Sequence, residues 1–190
     1  EPRDVLVGRS KVLERIDCEL EEVSAGKTAA LWLTGPPGHG KTRLLREARL
    51  RAQLRGLEVV EARFGPGGGP GSTLREQILK FARGRRDAFT WLEPLDEAHG
   101  GSPEERAARA VQSYFAEDSP ALVLCLDDVE HSDGSGRILV DALVVEAVRR
   151  ERAGAQGRGL GIFVASTKGP QGRGTKGCAQ RLRALSMREG

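Results

Sequence analysis

Gly35-Pro36-Pro37-Gly38-His39-Gly40-Lys41-Thr42 is the stretch on which the reading of this 190-residue chain turns. It satisfies G-x-x-x-x-G-K-[ST] at every position. A phosphate chain needs backbone N–H groups aimed at it from close range, and glycine permits both the dihedrals and the approach. A helix opening at Lys41 brings the positive end of its dipole to the same anion. In that arrangement Lys41 bridges the β- and γ-phosphates of a nucleotide as a point charge, and the Thr42 hydroxyl ligates Mg²⁺. His39 holds a variable position, and its side chain is expected to face solvent rather than act as a catalyst.

The flanks fit this reading. Thr28–Thr34 is short, apolar and closed by glycine and proline, so it reads as a buried strand leading into the loop. Lys41–Leu54 reads as a basic amphipathic helix stopped by Gly56. Upstream, Val12, Ile16, Leu20 and Val23 form an apolar stripe that predicts a helix over Ser10–Ser24, with Ser10 as N-cap and Gly26 just past the end. Downstream, Leu57–Phe64 reads as a strand and Gly65–Gly71 as a connector that no ladder or helix tolerates. Helical patterns occupy Thr73–Gly84, Pro103–Ala116 and Ser135–Arg150, with a poorly patterned stretch between the first two. Ala121–Leu126 and Leu160–Ser166 are continuous apolar runs of the kind a central parallel strand requires. Arg181–Met187 is a candidate last strand. Strands alternating with helices call for a mostly parallel sheet covered on both faces, with ligands beyond the carboxyl ends of the strands.

A second chemical signal sits at such an end. Leu122-Val123-Leu124-Cys125-Leu126 runs into Asp127-Asp128. Asp127 at the sheet edge can hold Mg²⁺ through water, and Asp128 can orient or deprotonate an attacking water. His131, just beyond, could contact the site or cap and pack the connecting loop, with neither favoured.

Composition narrows the classes. Five Phe, two Trp and one Tyr are too few for a nucleic-acid reader built on stacking, and a net charge of +3 does not by itself imply a polyanion partner. The charge is uneven: residues 64–133 carry 7 basic and 13 acidic side chains, residues 134–190 carry 11 and 4. Arg43, Arg46, Arg49, Arg51 and Arg55 line the helix after the loop and read as a solvated face opposite Leu44, Leu45, Ala48 and Ala52. Three cysteines (Cys18, Cys125, Cys178) without a C-x-x-C pair suit a reducing, cytoplasmic compartment. No apolar run reaches membrane-spanning length, and no membrane partner is expected.

With both sites placed, the chain resembles the AAA-type ATPase domains of the signal-transduction (STAND) nucleoside triphosphatases. The resemblance rests on Leu6-Val7-Gly8-Arg9, on Gly40-Lys41-Thr42-Arg43-Leu44-Leu45, on Leu122–Asp133 and on Gly161–Thr167. It implies a three-layer α/β/α P-loop NTPase core of AAA/ASCE type spanning 1–190. Within it, 1–27 would form an N-terminal segment and helix in which Val7, Gly8 and Arg9 lie beside the adenine. The nucleotide, ATP or ADP with Mg²⁺, would be held by Gly35, Gly38, His39, Gly40, Lys41, Thr42 and Arg43. Thr42 and Asp127 would face the metal, Lys41 and Asp128 would be catalytic, and Thr167 would sense the γ-phosphate from a strand tip. His131 stands where many relatives carry tryptophan, and Lys168 near a usual arginine. Residues 168–190 form a short C-terminal strand region, expected to be cut before the family's lid or winged-helix domain.

The function so implied is a slow Mg²⁺-dependent ATPase serving as a nucleotide-controlled switch in a larger bacterial signalling or transcriptional regulator, with other domains or signalling partners as its contacts. Two alternatives stay open: a DNA-associated AAA ATPase resembling replication initiators, supported only by the basic C-terminal third, and a nucleotide-binding scaffold without turnover. A small-molecule phosphotransferase needs a second pocket and an arginine-rich lid, for which no motif is present. Arg173 and Arg181 are the candidates for an arginine finger, with no motif to favour either.

Overall fold

The computed structural model describes residues 9–65, 74–81, 86–116, 120–132, 134–170 and 185–186. Helices α1 (Ser10–Ser24), α2 (Lys41–Leu54), α3 (Leu74–Phe81), α4 (Pro103–Ala116) and α5 (Gly134–Arg152) alternate with strands β1 (Thr28–Thr34), β2 (Glu58–Arg63), β3 (Leu122–Asp127), β4 (Leu160–Ser166) and β5 (Leu185–Ser186). The sheet order is β2-β3-β4-β1-β5 and every pair is parallel. The fold is therefore the three-layer α/β/α P-loop type, with β4 inserted between β1 and β3.

The period of two along each strand divides the apolar side chains between two cores. Leu31, Leu33, Val123, Cys125, Phe163 and Ala165 face α1 and α2. Trp32, Leu124, Leu126, Ile162 and Val164 face the opposite layer, built from α3, α4 and α5. Trp32, Trp91, Tyr114, Phe64 and Phe163 are among the largest fully buried side chains, each contributing roughly 1.5–3 kcal/mol through burial. The close fit of α1 to the sheet depends on Gly159: a Cβ there would lie 1.9 Å from the Val23 carbonyl oxygen.

Four sequence expectations need correction. Ser10 is the first helical residue rather than the N-cap; Arg9 takes the cap position, and no side chain caps α1. The poorly patterned stretch before α4 is ordered as 3-10 turns over Arg86–Leu95 and Glu97–His99. Phe89, Trp91, Leu92 and Leu95 bury themselves there, and buried Arg106 of α4 donates to the Leu95 carbonyl at 3.0 Å. Irregular apolar spacing thus makes a packed turn, because 3-10 geometry follows neither period used to read the sequence. The strand expected over Leu57–Phe64 is confined to Glu58–Arg63, and Ser135–Arg150 is extended to Gly134–Arg152. Of Arg181–Met187, only Leu185–Ser186 lie among the described residues; they pair with Leu33 and Thr34.

Candidate functional site

β1 ends at Thr34 and releases the chain into the glycine loop at the carboxyl edge of the sheet. Gly38 and Gly40 adopt φ of 82° and 78°, left-handed values that other L-residues take at a cost of roughly 1–2 kcal/mol. No heavy atom lies within 4 Å of where a Cβ would stand on either glycine. The glycines therefore serve backbone conformation and leave the approach open. Lys41, at the first turn of α2, is buried, and its Nζ donates to the carbonyls of Gly35 and Pro36 at 2.8 and 3.0 Å. Its ammonium thus rests on the loop's own oxygens. Arg9 donates to the His39 carbonyl at 3.3 Å, tying the start of α1 to the loop. The His39 ring is half-buried, not turned to solvent as expected, and its Nδ1 is buried without a hydrogen-bond partner among the described residues. Arg43 is exposed. Val7 and Gly8 lie outside the described residues.

β3 delivers the acidic pair. Asp127 is almost fully buried. Burial pushes its carboxyl above the usual carboxylate range, assisted by the Asp128 charge; the hydrogen bond from Thr42 and the charge of Arg63 pull the other way. The Thr42 hydroxyl is thus near enough to Asp127 to favour its charged form, although β4 separates the strands that lead to them. Asp128 has φ 57° and ψ 37°, the only positive φ outside glycine among the described residues. Aspartate tolerates this conformation better than most residues, and strained residues cluster at functional sites. The Asp128 N–H donates to Asp127 Oδ1 at 3.0 Å. Arg63, at the end of β2, donates from Nε to Asp128 Oδ2 at 2.9 Å and lies 3.8 Å from Asp127. Sequence reading missed Arg63, since only the β2–β3 register, which sets Arg63 beside Asp127, reveals it.

The tip of β4 completes the site. Ser166 pairs with Thr34, so Thr167 stands where the phosphate loop leaves β1. The Thr167 N–H donates to Glu130 Oε1 at 3.0 Å. Burial opposes ionisation of Glu130, but hydrogen bonds from backbone N–H groups and from the Ser166 and Thr167 hydroxyls outweigh it and lower its pKa. Glu130 was not anticipated; an acid three residues after Asp127 gives no signal until β4 is placed beside β3. His131 is exposed, and its N–H donates to the Asp128 carbonyl at 2.9 Å, so it closes the turn through its backbone. Asp133, Arg173 and Arg181 lie outside the described residues.

The donor set fits a phosphate chain: a loop of left-handed glycines, a helix N-terminus and a lysine held on neutral carbonyls. The Thr42 hydroxyl and Asp127 carboxylate are oxygen ligands of the kind a hard divalent cation takes. Outside this edge several of the described basic residues are paired within the chain. Arg49 pairs with Glu61 at 2.7 Å, Arg55 with Asp17 at 2.7 Å, and Arg51 with both Asp17 and Glu47. Arg150 and Arg158 lie over the rings of Phe115 and Tyr114 at 3.5 and 3.8 Å. No helix among the described residues is long and apolar enough to cross a membrane.

A family model described as the AAA ATPase domain matches residues 5–153. No curated protein matches. Among solved structures, the Aeropyrum pernix ORC2 protein in its ADPNP–ADP complexes is similar at 17% identity and a TM-score of 0.44. That similarity covers 88% of this chain and 43% of the other, so the chain spans less than half of that protein's length.

Proposed function

The chain belongs to the AAA ATPase domain family, and from that premise we propose that it binds ATP and ADP with Mg²⁺ at Gly35–Thr42 and works as a nucleotide-controlled switch. Its setting is a larger bacterial signalling or transcriptional regulator of the STAND type. The glycine loop with Lys41 buried on its own carbonyls carries the reading; beside it the Thr42 hydroxyl and the buried Asp127 carboxylate offer the oxygen ligands a phosphate-bound cation needs.

Roles follow from position. Gly35, Gly38, His39 and Gly40 offer backbone N–H groups to the phosphates, with Arg43 beside them. Lys41 exchanges its two loop carbonyls for phosphate oxygens. Val7, Gly8 and Arg9 flank the base, the last through its tie to His39. Thr42 and Asp127 would hold Mg²⁺, which would neutralise phosphate charge there. In hydrolysis, water attacks the γ-phosphorus, the bond to the β–γ bridging oxygen breaks, and ADP leaves with that electron pair. Asp128 takes the water proton, and phosphate departs. Arg63 holds Asp128 in place before the reaction. Thr167 reads the presence of the γ-phosphate.

Slow turnover separates this reading from a scaffold that merely retains nucleotide. Asp127→Asn replaces the metal-facing carboxylate with a near-isosteric amide. ATP titrated into both proteins with and without Mg²⁺ should show a Mg²⁺-dependent gain in affinity of about tenfold or more in the parent, and little in the variant. An equal gain in both would remove Asp127 from the metal site.

A further inference from the structure

Arg137, on α5, belongs to none of the motifs read from the sequence and makes an unusual set of contacts. Its guanidinium covers the Trp32 ring at 4.8 Å. Nη1 donates to Ser166 Oγ at 3.0 Å and Nη2 to the Gly169 carbonyl at 2.7 Å. Nε faces Asp141 at 3.4 Å. The side chain is only 14% exposed. Trp32 itself donates from Nε1 to the Lys168 carbonyl at 3.1 Å. The acceptors therefore bracket Thr167: Ser166 precedes it, and Lys168 and Gly169 follow it.

We propose that Arg137 is a positioning residue which, with Trp32, clamps the tip of β4 so that Thr167 distinguishes a nucleoside triphosphate from a diphosphate. The inference rests on the ATP-binding reading of Gly35–Thr42. Thr167 has no regular pairing of its own, because β4 ends at Ser166. Its N–H is tied to Glu130, beyond the acidic pair. Its two flanks are tied by Arg137 to α5 and by Trp32 to β1, the strand that becomes the phosphate loop two residues after Leu33. The planar fork of arginine suits this task, since it can stack on an indole while donating to two acceptors; lysine offers a point charge and cannot do both. None of these Arg137 contacts belongs to Gly35–Thr42, so loss of the clamp leaves the diphosphate cradle intact while Thr167 loses its fixed position.

The test is titration of ADP and of a non-hydrolysable ATP analogue, each with Mg²⁺, into the parent chain and into Arg137→Gln, Arg137→Lys and Ser166→Ala. In Arg137→Gln, ADP affinity should stay within about twofold, while preference for the triphosphate falls about tenfold, the scale of one charge-assisted hydrogen bond. Ser166→Ala, which removes the acceptor of Arg137 and of the Lys168 N–H together with the hydroxyl facing Glu130 and adds no bulk, should lose about threefold of that preference. Arg137→Lys should fall between the parent and Arg137→Gln. Unchanged preference in Ser166→Ala together with Arg137→Gln overturns the proposal, as does an equal loss of ADP and triphosphate affinity, which marks a purely structural arginine. If Arg137→Gln does not fold, Ser166→Ala decides alone. A parent chain that binds neither nucleotide overturns the ATP-site reading and this inference with it.

Discussion

Replacing Glu19 by glutamine should stabilise the protein above neutral pH and leave it nearly unchanged in acid. Glu19 lies on α1 with its side chain only 7% exposed, paired with Arg15. Burial pushes its carboxyl up from 4.5 to about 7, reinforced by the charges of Glu151 and Glu22 and opposed by Arg15. Lys27 is committed to Glu22 at 2.6 Å. Because the folded-state pKa lies above the unfolded one, the native state holds this proton more tightly. That stabilisation is complete below about pH 4.5 and is lost as pH rises through about 7. The interval corresponds to about 3 kcal/mol of differential interaction. Glutamine resembles the protonated acid at every pH. The stability of Glu19→Gln relative to the parent, from urea unfolding at pH 5, 6, 7 and 8, should therefore climb by about 2–3 kcal/mol across the range and flatten at the top. Parallel pH profiles for the two proteins, or a variant less stable at pH 8, would refute the reasoning.

Other parts of the account can be checked by simpler means. Gly159→Ala places a Cβ 1.9 Å from the Val23 carbonyl. A backbone obstacle cannot rotate away, so about 2–3 kcal/mol should be lost, read as a fall in Tm of roughly 5–10 °C. Cys125 is fully buried, and burial pushes its thiol well above its usual range, whereas Cys18 is exposed. Peptide mapping after brief alkylation should find Cys18 modified roughly a hundredfold faster than Cys125 until urea is added; comparable rates would show that the β3 core opens readily.

What was legible in the sequence was whatever local pattern determines. The phosphate loop, the apolar runs of β1, β3 and β4, and the amphipathic stripe of α1 could be read because period, burial and turn chemistry agree at those positions. The bounds of α1, α2 and α4 coincide with their expected ranges. What stayed hidden depends on sheet order. β4 lies between β1 and β3, and only that insertion brings Glu130 to Thr167 and sets Ser166 beside Thr34. Arg63 read as an ordinary charged strand end until the β2–β3 register placed it at the acidic pair. Arg137 was invisible for the same reason: on α5 it is one arginine among many, and its Trp32 and Ser166 partners lie 105 and 29 positions away. The arginines of α2 read as a solvated face, yet Arg49, Arg51 and Arg55 meet Glu61 and Asp17 from neighbouring elements. Long-range ion pairs leave no periodic trace in one sequence.

The central claim, that Gly35–Thr42 holds a nucleotide through Lys41, is tested most directly by calorimetric titration of ATP and ADP with Mg²⁺ into the parent chain and Lys41→Ala. Lys41 is buried on the loop carbonyls of Gly35 and Pro36, so its removal takes away the cation proposed to face the phosphates. The account predicts micromolar-range binding by the parent, on the order of −8 kcal/mol, and none detectable in the variant. Equal affinity in the two proteins would contradict it.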